Sequence, residues 1–352
     1  MARKVLVTGG AGFVGCNLVD RLLAANNQVT IFDSFSRAGS ECNLEWLERR
    51  HTDRELTVLR GDVRDADAVD GAAFDVDVVY HLAGQVAVTT SVVDPRTDFE
   101  VNALGTLNVL EAARRSVRRP VVVFTSTNKV YGTMDDLELV EDTTRYTFRD
   151  LPFGISEHRA LDFHSPYGCS KGTADQYVRD YSRIYDLPTV VFRMSCIYGP
   201  RQFGTEDQGW LANFMIAAVT GRPITIFGDG KQVRDVLFID DLVRALQLAV
   251  DHIERTAGSV YNIGGGPMNT VSVWAEFRKV LACLHGDDLA VGHEPRRPGD
   301  QRCYVSDIRK AERTMGWRPE VDVVTGVRRL WEWVAAHEHL FATAVPAAAS
   351  TG

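Results

Sequence analysis

The stretch TGGAGFVG at residues 8–15 decides the fold. It follows the apolar run Val5, Leu6, Val7 and precedes a helical pattern with Val14, Leu18 and Leu22 on one face. Gly10, Gly12 and Gly15 satisfy G-x-G-x-x-G, and Gly9, Gly12 and Gly15 give a second spacing, G-x-x-G-x-x-G. Glycines so placed allow a tight turn, a close backbone approach to a pyrophosphate and close packing of helix on strand. The helix N-terminus adds free N–H groups and a positive potential. The pattern is weak alone, but here it sits between a strand and a helix, as the chemistry requires. Asp33 follows 18 residues after Gly15, at the end of the second apolar run VTIF (29–32). A carboxylate there accepts from both adenosine ribose hydroxyls and repels a 2′-phosphate, so NAD is expected over NADP. Arg37 is the nearby residue that would suit a phosphate instead.

Outward from this loop, short apolar runs alternate with helical patterns. LTVL (56–59), VDVVYHLA (76–83), VVVFTS (121–126) and TVVFRM (189–194) read as strands; residues 98–115 and 167–185 read as helices. This alternation predicts an α/β chain with a Rossmann-type, doubly wound parallel sheet. Past residue 193 the rhythm loosens into Gly- and Pro-rich turns, which predicts a smaller C-terminal substrate-binding lobe. The expected division is 1–192 with about 236–262 in the dinucleotide-binding domain, 193–235 and 263–340 in the second lobe, and a frayed tail at 341–352. DVLFIDDLVRALQLAV (235–250) is expected to return to the large lobe as a strand and helix.

Composition narrows the function classes. The chain has 352 residues, enough for one large or two modest cores, and 45% hydrophobic with 24% charged residues is ordinary for a globular protein. Net charge is −8 with no long run of one sign, which argues against a nucleic-acid stripe. No segment reads as a signal region or a bilayer span, so no membrane partner is expected. Six cysteines without C-x-x-C spacing suggest neither a metal site nor disulfides, and a reduced, cytoplasmic setting is expected.

Two further stretches carry chemistry. SPYGCSK (165–171) puts Tyr167 and Lys171 four apart, on one helical face. A phenol with an ordinary pKa of about 10 is a poor base at neutral pH. An adjacent ammonium is expected to lower it. FTSTNKVYG (124–132) ends a buried strand in Thr125, Ser126, Thr127, Asn128 and Lys129, which delivers hydroxyls, an amide and an ammonium to the strand end.

With GDVRD (61–65), HLAG (81–84), VNALGT (101–106), YGPRQ (198–202) and RRPGDQRCYVSD (296–307), these motifs resemble the extended short-chain dehydrogenase/reductases that act on nucleotide sugars, the NAD-dependent epimerase/dehydratase family. The resemblance implies a catalytic triad of Thr127, Tyr167 and Lys171, in which Thr127 orients the reacting hydroxyl, Tyr167 takes its proton and Lys171 holds the nicotinamide ribose. It implies dinucleotide contacts from Gly9, Gly12, Phe13, Val14, Gly15, Asp33, Ser36, Arg37, Asp62, Val63, Leu82, Ala83, Gly84, Asn102 and Thr125, besides Tyr167 and Lys171. Sugar-nucleotide contacts are implied for Gln85, Thr127, Asn128, Lys129, Arg201, Gln202, Arg234 and Arg297, the last two as pyrophosphate clamps. A homo-oligomer, dimer or tetramer, is also implied.

Two departures point to a subgroup. Cys196 replaces the family's usual Asn, and FGISEHRALDFHSP (153–166) reads as an extra loop beside the sugar. SRAGSECNLEWL (36–47), LDFHSPYGCSKGTADQY (161–177) and RQFGTEDQGW (201–210) are similar to the CDP-tyvelose (CDP-paratose) 2-epimerases. That likeness implies reversible inversion at C2 of a CDP-sugar. Dehydratases of this fold carry Thr-Asp-Glu where this chain has Thr127, Asn128 and Lys129.

Overall fold

The computed structural model describes residues 2–286, 289–297 and 300–341. Seven parallel strands form the main sheet: β1 (Lys4–Thr8), β2 (Gln28–Asp33), β3 (Leu56–Arg60), β4 (Val78–His81), β5 (Val121–Thr127), β6 (Thr189–Met194) and β7 (Ser259–Ile263). Their spatial order is β7-β6-β5-β4-β1-β2-β3. The order reverses between β1 and β4, and an open parallel sheet opens a ligand crevice at that point, outside the carboxyl ends of its strands. The central strands are apolar on both faces because helices cover both, as their unbroken valine runs require.

The covering helices used below are α1 (Phe13–Ala24), α2 (Ser40–Arg50), α3 (Ala66–Ala73), α4 (Gly105–Arg115), α5 (Ser165–Tyr185) and α6 (Ile239–Asp251). The expected helix over 98–115 is a composite. A short helix, Pro95–Phe99, runs into a π-helical turn, Glu100–Leu104, before α4. The expected strand and helix over 235–250 both form, but they part company. Strand Val233–Phe238 joins a small sheet with Cys196–Tyr198, Thr270–Ser272 and Cys303–Tyr304, while α6 packs back on the main sheet. The strand that rejoins the main sheet is β7. Residues 342–352 of the expected tail lie outside the described residues.

A buried carboxylate ties the crossings together. Asp235 is fully buried, accepts from the Gly266 and Ser306 N–H groups at 3.1 Å each, and is also bonded by the Ser195 hydroxyl. The extra segment 153–166 docks away from the cleft. Ile155 N–H donates to Val305 O at 2.7 Å, Asn262 N–H donates to Glu157 Oε1 at 2.8 Å, and the Phe163 ring covers Gly172 of α5. It does not line the cleft, contrary to the sequence reading. Its backbone groups find their partners in the second lobe and β7 instead.

Candidate active site

A cleft of about 620 Å³ opens at the carboxyl ends of β1, β4, β5 and β6 and is walled on its far side by the second lobe. Phe13 and Val14, which follow the glycine loop, line it on one side. Gly9 has φ +71°, and a Cβ there would sit 2.7 Å from Ala83 N, so only glycine lets this turn pass β4. A Cβ on Gly15 would lie 2.1 Å from Gly9 O, which forces the close approach of helix to loop. Gly12 caps α1 with no side-chain acceptor. The first-turn N–H groups of α1 therefore face the cleft beside Phe13 and Val14. Asp33 accepts from Ala11 N–H at 2.9 Å and from Phe35 N–H at 2.8 Å, which fixes its carboxylate against the loop. An unoccluded helix N-terminus, a glycine cradle and a fixed carboxylate suit a dinucleotide.

The three triad candidates come together. Thr127 ends β5 and lines the cleft; Lys129 N–H donates to its Oγ1 at 3.2 Å, and it faces Asn128 Oδ1 at 3.3 Å. Tyr167 and Lys171 project from the first turns of α5. Tyr167 N–H donates to Ser91 Oγ at 3.1 Å, which anchors the helix start. Burial pushes the Tyr167 phenol up to about 12; the Thr127 hydroxyl pulls it down and the Asp98 carboxylate adds to the rise. The expected lowering by Lys171 is absent from the protein's own groups. Burial draws Lys171 down to about 7 against the pull of Asp98 and Asp175. The Lys171 ammonium lies 4.2 Å over the Phe124 ring, and a Cβ on Gly84 would come within 3.7 Å of it.

Behind the triad runs a buried polar chain. Thr106 Oγ1 donates to Asn102 O at 2.6 Å, so His81 Nε2–H donates to Thr106 Oγ1 at 3.0 Å, and His81 Nδ1 accepts from Thr8 Oγ1 at 2.7 Å. His81 is held down at about 3, by burial first and Lys171 second, and so stays neutral. Asn102 stands in the π-turn and donates to Gln85 O and Ser170 Oγ at 3.1 Å each, and Gln85 N–H donates to its Oδ1 at 3.0 Å. The widened turn points its amide at both groups.

Phe13, Val14, Leu82, Gly84, Thr125, Asn128, Lys129, Gln202, Arg234 and Arg297 also line the cleft. Arg234 donates to Val233 O at 2.8 Å. Arg297 stacks 3.6 Å over Phe227 and donates to Glu206 O at 3.1 Å. Asn128 donates to Gln301 Oε1 at 3.1 Å, and Lys129 lies 3.7 Å from Asp300. Burial lowers Lys129, Arg234 lowers it further, and Asp300 and Cys196 raise it.

Other candidates sit differently from the sequence reading. Gln85 turns inward, donating to Ala87 O at 2.8 Å and Asp98 Oδ1 at 3.0 Å, so it does not reach toward a sugar. Arg201 leaves the cleft: its guanidinium packs 4.2 Å over Trp46 and 5.8 Å from the Trp333 ring. Arg37 engages the Gln208 side chain. Ser36 is exposed, with Ser34 Oγ at 3.0 Å. Asp62 is clamped by its own neighbour Arg64 at 2.7 Å, Val63 is buried under Gly105, and Ala83 N–H donates to Thr8 Oγ1 at 3.3 Å. Sequence reasoning missed Trp210 and Gln232, which line the cleft; the Gln232 Oε1, Ser126 Oγ and Gln202 Oε1 are buried there without a partner, and the Trp210 indole bonds to Cys196. Buried polar atoms without a protein partner are open to a ligand or to water.

The family model for the NAD dependent epimerase/dehydratase family matches residues 5–264. The chain is 42% identical over 340 residues to the CDP-paratose 2-epimerase of Salmonella typhi, covering 95% of this chain and 99% of that one. It is similar in structure to the UDP-glucose 4-epimerase of Thermotoga maritima solved with UDP-glucose (TM-score 0.81, 31% identity, 95% and 99% covered). It is also similar to a dTDP-glucose 4,6-dehydratase double mutant from Streptomyces venezuelae solved with NAD and DAU bound (TM-score 0.82, 30% identity, 95% and 98% covered). A glycine cradle at the reversal of a seven-stranded parallel sheet, a Thr–Tyr–Lys constellation at the strand ends and matches that run the length of the chain agree: the protein belongs to the NAD-dependent epimerase/dehydratase family.

Proposed function

We propose that this protein is an NAD-dependent nucleotide-sugar 2-epimerase, acting reversibly on CDP-paratose, CDP-tyvelose or a closely related CDP-sugar through a transient 2-keto sugar. The observation that carries this reading is the 42% identity to a CDP-paratose 2-epimerase across nearly the whole of both chains. Asn128 and Lys129 in place of a carboxyl pair support it further, since elimination of water needs an acid and a base that an amide and an ammonium do not supply.

When bound, NAD supplies the acceptor and later the donor of the hydride. The chain's own groups do the rest. Thr127 Oγ1 holds the C2 oxygen, and Tyr167 takes its proton and returns it. Lys171, four residues on, grips the ribose and lends positive charge. Arg234 and Arg297 are the pyrophosphate grips, with guanidinium forks matched to phosphate oxygens. Held at that end only, the keto sugar has room in the cleft to turn its other face before hydride returns.

The test is a screen of CDP-, UDP-, GDP- and dTDP-sugars with products read by NMR. Inversion at C2 of a CDP-sugar is expected. Inversion at C4 of a UDP-sugar would move the protein to the 4-epimerases.

A further inference from the structure

Asp98 has no assigned part in the triad, and it does not line the cleft. It stands in the short helix Pro95–Phe99 and is 1% exposed. Its Oδ2 accepts from Ser170 Oγ at 2.5 Å; its Oδ1 accepts from Gln85 Nε2 at 3.0 Å and Asn102 Nδ2 at 3.1 Å. Three neutral donors satisfy its lone pairs, but they bring no countercharge. A buried carboxylate held this way is costly unless a cation stands near. Ser170 is the residue before Lys171 on α5. We propose that Asp98 is the positioning residue that keeps Lys171 charged and, through Ser170, in place.

The charges around the lysine support this choice. Asp175, one turn further along α5, is already committed to Arg193 of β6 through bonds of 2.8 and 2.9 Å. His81 of β4 is neutral. Glu100 of the π-turn faces Arg64 and Arg96 at 3.6 Å each. Tyr167, on the same face, is pushed up to about 12, chiefly by burial. Asp98 is therefore the negative charge near Lys171 that no arginine partner shares. Burial raises Asp98 above the usual carboxylate range, with Ser170 and then Lys171 pulling against that rise, and Asp98 in turn raises Lys171 and Tyr167.

This inference rests on the reading of Tyr167 and Lys171 as the acid–base pair, and its sign is specific. Removing the carboxylate lowers both groups. Tyr167 then ionises at lower pH, and Lys171 loses its proton at lower pH. Both limbs of the kcat/KM profile of Asp98→Asn should move toward acid together, by about one pH unit, and Asp98→Glu should move them back. A slower enzyme with an unmoved profile would mean that Asp98 only packs, and would overturn the proposal. A second measurement needs neither turnover nor an Asp98 variant. The Asp98 carboxyl is titrated by ¹³C NMR in the full chain and in Lys171→Met. Its midpoint should rise in the variant, because the ammonium that lowers it is gone; equal midpoints would overturn the proposal. Wild-type protein that turns over no nucleotide sugar would sink the epimerase reading instead, and the carboxyl titration would still decide on the Asp98–Lys171 coupling.

Discussion

At the scale of single residues, the proposed chemistry rests on Tyr167 and Thr127. Tyr167→Phe removes one oxygen from a side chain already 8% exposed, so the fold and the bound cofactor should survive. Loss of a positioned proton acceptor should cost about 10²–10⁴-fold in kcat. Steady-state rates with an intact thermal melt check this, and near-wild-type turnover would eliminate Tyr167 as the base. A phenol at about 12 is poorly poised alone. Its titration, followed by ultraviolet difference, should move to lower pH when NAD is added; an unmoved midpoint would leave its activation unexplained. Asp33 gives a third expectation. The dinucleotide extracted from the protein should be NAD, whereas stoichiometric NADP would shift the weight to Arg37. These expectations came from local spacing, with glycines within one turn, a tyrosine and lysine four apart and a carboxylate at a strand end, and the structure brings Thr127, Tyr167 and Lys171 to one cleft. Gln85 and Arg201 were misread for the opposite reason. Their backbones lie near the site, but Asp98 draws the Gln85 amide inward and Trp46 draws the Arg201 guanidinium away. Those partners are 13 and 155 residues distant in sequence.

At the scale of elements, α5 is the part whose placement matters most. It carries Tyr167 and Lys171 on one face and is fixed to the sheet by Asp175, paired within the core to Arg193 of β6, whose guanidinium also donates to Tyr131 at 3.1 Å. Removing one partner of such a pair strands a buried charge. Arg193→Met should cost about 3–5 kcal/mol, and replacing Asp175 by Leu as well should restore much of it. Urea melts of both variants test this; a single variant as stable as the parent would show that the pair does not hold α5. Six of the seven parallel strands were readable from the sequence to within a residue or two, because a doubly covered sheet writes unbroken apolar runs, but β7 was not read as a strand. The π-turn at Glu100–Leu104 was not, since its widening answers to the Asn102 contacts rather than to any periodicity. Strand Val233–Phe238 was misassigned because a fully buried run fits either sheet.

On the scale of the whole molecule, the proposed grip on the sugar nucleotide falls to the part of the chain past residue 193. Arg234 lies at the cleft wall, 9% exposed. A clamp used equally before and during reaction should raise KM more than it lowers kcat when Arg234 becomes Ala. A pure kcat effect would place Arg234 at the reacting carbon instead. The change in rhythm near residue 193 led to the two-lobed expectation, while the docking of segment 153–166 depended on partners scattered over β7 and residues past 300. The central claim is that oxidation and reduction occur at C2, with the same hydride leaving and returning. It is tested most directly by giving the protein a CDP-sugar deuterated at C2 and reading the product by NMR in ordinary water. C2-inverted product that keeps its deuterium is expected; loss of deuterium to solvent, or inversion at another carbon, would rule out hydride return to C2.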